Sequence, residues 1–257
     1  MPKLDTFRSS LLAAGAICAV FAGSTAARAA DIVKFADFSQ VGTGSDVRWV
    51  KTGSSGLLFS IPTSGAAIMG PAKVIFNFDL PSLSGLSNLS ANYSLNVTVP
   101  TGNPALAVGG FRDQPGLQGG FSFIYTGPTT VLNGHAITTG ANLLTATLTD
   151  GDITGVVNGS AGSMFASTDS GSAVTYTSDF IDFTSSTSRD LSFSLNAVSP
   201  RFGASAGQAL NSFAAAETGE FGFAIPEPAT WTMGILGFGL LGATLRRRKA
   251  APAFARI

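Results

Sequence analysis

The sequence NYSLNVTV, residues Asn92–Val99, alternates polar and apolar side chains at every position. Successive side chains of a β-strand point to opposite faces of the sheet, so this alternation predicts a strand with one buried and one solvent-facing side. The stretch Lys73–Leu80 repeats the pattern, with Val74, Phe76 and Phe78 on its apolar side. Both stretches therefore predict strands that cover a hydrophobic core.

Similar short segments recur on either side of these two, separated by turns rich in Gly, Pro, Asn and Ser. Further strands are predicted at Ile32–Phe38, Val47–Thr52, Leu57–Ile61, Phe121–Tyr125, Leu143–Thr149, Ile153–Val157, Val174–Tyr176, Phe180–Phe183, Leu191–Leu195 and Phe221–Phe223. A hairpin is expected to turn at Asp150-Gly151. Because no helical segments separate these strands, the middle of the chain is predicted to be an all-β, antiparallel β-sandwich or jelly-roll-like domain with a phenylalanine-rich core.

Two segments depart from the strand pattern. Gly159–Ser172 is almost entirely small and polar, which predicts a long flexible loop. Pro200–Ala216 places Leu210 and Phe213 among alanines at helix-like spacing, which predicts one short helix before the last strand.

The first 29 residues have the order of a secretory signal peptide. Two basic residues precede the apolar stretch Leu11–Gly23, and small residues lead to Ala27-Arg28-Ala29. We expect cleavage between Ala29 and Ala30. The only cysteine, Cys18, lies inside this segment, so the mature domain is expected to use neither disulfides nor thiolate metal sites.

The other terminus carries three elements in order. Pro226-Glu227-Pro228 is stiff and extended, because proline fixes φ and disfavours the helical region for the residue before it. Residues 229–245 carry no charge and would extend about 25 Å as a helix, near the short limit for crossing a bilayer. Trp231 suits the headgroup level at one end of this span. The basic stop at its other, cytoplasmic end consists of Arg246, Arg247, Arg248 and Lys249.

This terminus resembles the PEP-CTERM sorting signal, in the subtype with tryptophan three residues after the second proline. The resemblance covers only about the last tenth of the chain. Such tails are also called ice-binding protein C-terminal domains, a name that by itself implies nothing about ice. The resemblance implies recognition by an exosortase, a membrane-embedded cysteine transpeptidase of Gram-negative bacteria that make exopolysaccharide.

The chain is thus predicted to have four parts: a signal peptide (1–29), a secreted β domain (30–224), a sorting signal with a transmembrane helix (225–249) and a short cytoplasmic tail (250–257). The net charge of the whole sequence is zero, but residues 30–225 hold seven Lys and Arg against thirteen Asp and Glu, a net charge of −6. This sparse, acidic charge excludes nucleic acid as a partner and suits a neutral hydrated polymer or a protein.

Motifs for catalysis or metal binding are weak, and we expect no catalytic residue, cofactor or metal ion. His135 is the only histidine, which excludes multi-histidine zinc sites. Glu217 and Glu220 are interpreted as a surface pair, although an enzyme with an Asp pair stays open as the least favoured function. Calcium ligands at Asp150-Gly151-Asp152, or at Asp179 with Asp182, are a further alternative without the twelve-residue calcium-loop pattern; the Asp150-Gly151 turn has a sufficient local reason.

The sequence therefore favours a non-enzymatic protein that is exported, anchored in the inner membrane until an exosortase processes it, and destined for the cell surface or the exopolysaccharide matrix. The alternative is a carbohydrate-binding module that grips a matrix polymer through exposed aromatic side chains such as Trp49 and Tyr125. Ser- and Thr-lined strand faces also resemble flat ice- or glycan-binding surfaces, although no regular Thr-x-Thr ladder is recognised.

Overall fold

The structure is a computed structural model, and it describes residues 32–63 and 68–224. These residues form strands joined by turns and two short 3₁₀ turns, at Pro81–Leu83 and Thr168–Ser170. The strands, numbered in chain order, are β1 (Ile32–Gln40), β2 (Val47–Thr52), β3 (Ser55–Ser60), β4 (Ala72–Phe78), β5 (Leu89–Val99), β6 (Leu106–Val108), β7 (Phe111–Tyr125), β8 (Thr130–Leu132), β9 (His135–Ile137), β10 (Asn142–Val156), β11 (Gly162–Ser167), β12 (Ala173–Thr177), β13 (Ser188–Ser199) and β14 (Phe213–Ala224).

The principal strands form one antiparallel sheet that closes on itself. Strands β4 and β3 pair one after the other along one edge of β5, and β1 and β2 likewise share one edge of β14. Because β4 pairs with β1 and β3 with β2, this side connects β5 to β14. The circuit continues from β14 through β13, β11, β10 and β7 back to β5.

The predicted class, all-β with antiparallel strands, is confirmed, but the strands form a continuous circuit where two separate sheets were expected. Strand β6 extends the sheet beside β7, β12 pairs with β10, and β8 and β9 form a separate hairpin. In the circuit, closure satisfies backbone hydrogen-bonding groups that an open sheet would leave exposed at its edges.

Alternation along the strands sorts side chains between the core and the surface, as predicted. In β5, Tyr93, Leu95, Val97 and Val99 are buried, while the Ser, Asn and Thr residues between them face solvent. The centre of the core is a cluster of aromatic rings from strands that are distant in sequence. Its members are Phe35, Phe38, Phe76, Tyr93, Phe121, Phe123, Phe193 and Phe221.

The hairpin expected at Asp150-Gly151 is wrong, because β10 runs through both residues from Asn142 to Val156. Asp150 has a φ of 62°, and the pairing register with β7 shifts between Leu148 and Gly151. The tolerance of Asp for a positive φ serves a bulge here, which bends the strand without reversing the chain.

The loop expected at Gly159–Ser172 is also wrong, because the segment contains β11 and a 3₁₀ turn. Its small residues allow close packing: a Cβ atom at Gly162 would lie 2.5 Å from the ring of Phe202. A Cβ atom at Gly155, in the neighbouring strand β10, would lie 2.7 Å from the same ring. The glycine that suggested a flexible loop is therefore needed for tight contact between the Phe202 ring and the backbones of β10 and β11.

Two smaller predictions are corrected as well. The helix expected within Pro200–Ala216 is absent from these described residues, which contain an isolated bridge between Ala204 and Leu210 and the start of β14. Phe180–Phe183 is not a strand; its last ring packs edge-on against Phe35, with the ring centres 5.2 Å apart.

Candidate functional site

The last described strand ends where the predicted sorting signal begins. Ala224, the final residue of β14, is fully buried and pairs with Ile32 of β1 on one side and Ser188 of β13 on the other. Its carbonyl oxygen accepts a hydrogen bond from the backbone amide of Thr187 at 2.9 Å. The Pro-Glu-Pro sequence thus starts two residues after a position that is paired on both edges, which leaves almost no spacer.

The pairing of Ile32 with Ala224 also brings the two ends of the domain together. The predicted signal cleavage site precedes Ile32 by only two residues, and the predicted sorting signal follows Ala224 directly. Because β14 pairs with β1, β2 and β13, the circuit closes only when this last strand is in place. The first and last strands of the domain are therefore both anchored in the same ladder.

The sequence-predicted sorting residues themselves lie outside the described residues. These are Pro226, Glu227, Pro228 and Trp231 of the motif, Arg246, Arg247, Arg248 and Lys249 of the basic stop, and Ala27, Ala29 and Ala30 at the signal cleavage site. Within residues 32–63 and 68–224, no helix has the length and apolar character needed to cross a bilayer, and the predicted span at 229–245 falls beyond them.

A buried acidic cluster is the main titratable feature that the sequence did not reveal. Glu217 of β14 and Asp46, just before β2, are both fully buried, and the Tyr93 hydroxyl donates a hydrogen bond to Glu217 Oε2 at 2.7 Å. Both oxygens of Asp46 and Oε1 of Glu217 have no hydrogen-bond partner. The predicted surface pair is therefore wrong: Glu220 is exposed, but Glu217 lies inside the closed sheet.

Burial governs the protonation of this cluster. Burial raises the pKa of Asp46 to about 7. Nearby backbone amides favour the ionised carboxylate and so limit this increase. Burial, and then the neighbouring charge of Asp46, raise the pKa of Glu217 well above its usual range. Low polarity penalises the ionised form of each acid, so the folded protein favours neutral carboxyls at both positions.

We expect the free energy of unfolding to fall as the pH rises from about 4 to about 8. The unfolded acids have pKa values near 4, so the folded state holds extra protons above that pH, and the associated stability is lost as the pH passes the folded pKa values. Replacing Glu217 with Gln keeps an acceptor for Tyr93 without an ionisable group. The E217Q variant should show a shallower pH dependence and exceed the wild type above pH 7, as measured by urea unfolding at pH 5, 6, 7 and 8.

Glu220→Gln is the matched control, because it makes the same chemical change three residues away on the exposed side of the same strand. This variant should keep the wild-type pH dependence. A wild-type stability that rises steadily up to pH 8, or a slope reduced equally by both substitutions, would contradict the assignment.

The aromatic side chains expected to grip a glycan are not available to one. Trp49 is fully buried and its indole nitrogen donates to the carbonyl oxygen of Leu210 at 2.9 Å. Tyr125 is 5% exposed and its hydroxyl donates to the carbonyl oxygen of Pro128 at 3.2 Å. The prediction that Trp49 and Tyr125 are exposed and bind a carbohydrate is therefore wrong.

The polar residues considered for calcium have local structural partners. Asp179 accepts a hydrogen bond from the amide of Asn142 at 2.8 Å, and Asp182 accepts one from the amide of Thr184 at 2.9 Å. Burial, with Asp113 and Asp150 nearby, raises the pKa of Asp152 to about 6. Across the described ranges, no three His, Cys, Asp or Glu side chains group closely enough to hold a metal ion.

One surface of the closed sheet is lined by uncharged polar side chains. Thr145, Thr147 and Thr149 alternate along β10, beside Thr175 and Thr177 of β12. A short Thr-x-Thr ladder, which was not recognised in the sequence, is therefore present as TATLT at 145–149. We call the full surface the hydroxyl–amide face; it consists of Ser94, Asn96, Thr98, Gln118, Gly120, Ser122, Thr145, Thr147, Thr149, Thr175 and Thr177.

Comparison with known proteins identifies the tail. The family description PEP-CTERM protein-sorting motif matches residues 224–249, about a tenth of the chain. No curated protein and no solved structure matches the sequence or the fold. The matched range begins at Ala224, the last paired residue of β14. The chain therefore carries a PEP-CTERM sorting motif, a signal of exported proteins that are recognised by an exosortase.

Proposed function

We propose that this chain is a non-enzymatic protein of the Gram-negative envelope that an exosortase processes and passes to the cell surface or the exopolysaccharide matrix. The observation that carries the proposal is the sorting motif that starts at the end of the last paired strand. Residues 229–245 hold the chain in the inner membrane, and the basic stop keeps its final residues in the cytoplasm.

The bond-breaking chemistry belongs to the partner. The exosortase cysteine thiolate attacks a backbone carbonyl carbon in or near Pro226-Glu227-Pro228, the peptide C–N bond breaks, and the departing amine takes a proton. The domain contributes a firm boundary: Ala224 is hydrogen-bonded on both edges, so bonds before it are held in the sheet. The accessible peptide thus begins beyond Ala224, and the processed domain stands close to whatever its new end joins.

The buried acids Asp46 and Glu217, together with Asp179 and Asp182, favour a non-enzymatic role. A glycoside hydrolase needs two carboxyl groups that flank the substrate bond, about 5–9.5 Å apart. Asp46 and Glu217, whose pKa values are raised, have no solvent-exposed surface and so do not meet a polymer. Asp179 and Asp182 are occupied by backbone amides. The buried carboxyls are better explained as an internal polar cluster than as catalytic groups.

Fractionation of cells with and without the exosortase tests the proposal. With the enzyme, we expect a shorter protein in the surface or matrix fraction, whose mass places the new C-terminus within or just beyond 225–228. Without it, the chain should keep residues 229–257 and remain with the inner membrane. An identical mass and distribution in both strains would refute processing by this enzyme.

A further inference from the structure

We propose that the hydroxyl–amide face is a binding site for a neutral, hydroxyl-rich polysaccharide. This binding site gives the exported domain a partner. It rests on the proposed function only in that export to the cell surface or matrix would bring the domain to the polysaccharide. Three observations support the site. The sheet brings together polar side chains from four strands, a groove lies above these side chains, and none of them is charged.

Strand register aligns the side chains in rows across the face. Ser94, Ser122, Thr145 and Thr177 form one row from β5 to β12. The adjacent row contains Asn96, Gly120, Thr147 and Thr175. Neighbouring strands are about 4.8 Å apart, and outward positions repeat about every 6.8 Å along a strand. The rows therefore form a regular grid of hydroxyl and amide groups. The Thr147 and Thr175 hydroxyls share a hydrogen bond at 2.6 Å and Thr145 donates to Asn142 Oδ1 at 2.9 Å, and these hydroxyls keep acceptor capacity for a ligand.

A groove of about 420 Å³ lies over the middle of these rows. Its lining includes Asn96 and Thr147 on either side of Gly120, with Met69, Gly70 and Pro71 from the segment before β4, and most of its exposed lining is apolar. A Cβ atom at Gly120 would lie 2.5 Å from the carbonyl oxygen of Ala146, so the close approach of β7 and β10 requires glycine there. The same absence of a side chain leaves the floor of the groove open. Its volume is within the range of ligand sites, about 300–1,000 Å³.

Charge selects the class of polymer. No side chain of the face is ionisable, whereas a second groove across the closed sheet, beside β13 and β14, is lined by Asp37 and Glu220. The domain as a whole has a net charge of −6, which repels anionic polymers. Threonine presents a methyl group beside its hydroxyl, which matches the mixed C–H and O–H surface of a neutral sugar.

A protein partner fits the face less well. Protein interfaces depend on buried aromatic or arginine anchors, and the face has neither. The strands of its centre, β5, β7 and β10, are paired on both edges. An added strand could therefore pair only beside β12, which among the described residues pairs with β10 alone. Weak contacts repeated along a polymer compensate for the missing anchors, because each additional contact on the same chain is intramolecular.

Affinity electrophoresis tests the inference directly. The full-length chain, purified in mild detergent, is run through native gels that contain galactomannan, dextran, alginate or no polymer. We expect retardation by at least one neutral polymer and none by alginate. The double variant Asn96→Ala with Thr147→Ala removes one hydrogen-bonding group from each side of the groove and should weaken the apparent affinity about tenfold, since each hydrogen bond contributes about 0.5–1.5 kcal/mol.

The matched control is Ser194→Ala with Asn196→Ala, at exposed positions of β13 away from the face. It should leave retardation unchanged, and Thr147→Ser, which keeps the hydroxyl, should retain binding. Thermal unfolding confirms that each variant is folded. No retardation by either neutral polymer, stronger retardation by alginate, or equal loss in the control pair would overturn the inference. Because this assay contains no exosortase, a negative result would reject polysaccharide binding without bearing on whether the exosortase processes the chain.

Discussion

A chain in which Pro226, Glu227 and Pro228 are replaced by alanine is expected to remain unprocessed and membrane-bound. We expect the prolines to keep this segment extended and outside the transmembrane helix that is predicted at 229–245. Alanine has the highest helix propensity, so the replacement should let the predicted transmembrane helix extend toward Ala224 and remove the extended peptide that the exosortase is proposed to accept. Immunoblots of membrane and surface fractions should show the full-length form accumulating, with the processed form falling at least tenfold.

Pro252→Ala is the control for this experiment, because it removes a proline from the same terminus but lies outside the matched range 224–249. It should leave processing at the wild-type level. If the triple-alanine chain is cut as efficiently as the wild type, the motif has no role in recognition and the proposed function fails at its first step.

Phe221→Ala is expected to destabilise the domain by about 3–5 kcal/mol, the usual cost of deleting a buried phenylalanine ring. Phe221 is 1% exposed and lies three residues before the end of β14. Its ring centre is 5.4 Å from that of Phe121, 5.6 Å from that of Phe123 and 5.6 Å from that of Phe193. The substitution would therefore leave a cavity where three rings from two other strands, β7 and β13, meet.

Thermal unfolding followed by circular dichroism measures this effect. A loss of 3–5 kcal/mol corresponds to a melting temperature lower by roughly 10 °C in a domain of this size. Phe111→Ala is the matched control, since Phe111 is 50% exposed and should change stability by no more than about 0.5 kcal/mol. Equal effects of the two substitutions would show that the aromatic cluster is not the stabilising core.

Local pattern predicted most of the strands because period-two alternation records which side of a strand is buried. It predicted Val47–Thr52 with the bounds of β2, and it separated the two sides of β5 correctly. It failed for Glu217 and Glu220, which were paired because they are close in sequence. Residues three apart on a strand point to opposite faces, so one of these acids is buried and the other is exposed.

The long strands show a second limit. Bulges let β10 continue through Asp150-Gly151, and β7 begins at Phe111, ten residues before the apolar segment that predicted it. Turn-forming residues favour a positive φ, but they do not determine whether the chain then reverses or continues. That choice depends on the partner strand. For β10, the partner β7 pairs with both halves.

By itself the sequence determined the sorting motif and the two faces of most strands, because both are defined by residues that are neighbours in the chain. Only the tertiary structure decided that Ile32 lies beside Ala224, that Trp49 is buried and that threonines from β10 and β12 form one surface. These outcomes depend on which strands pair. Pairing follows from long-range packing of many rings at once, and no local period records it.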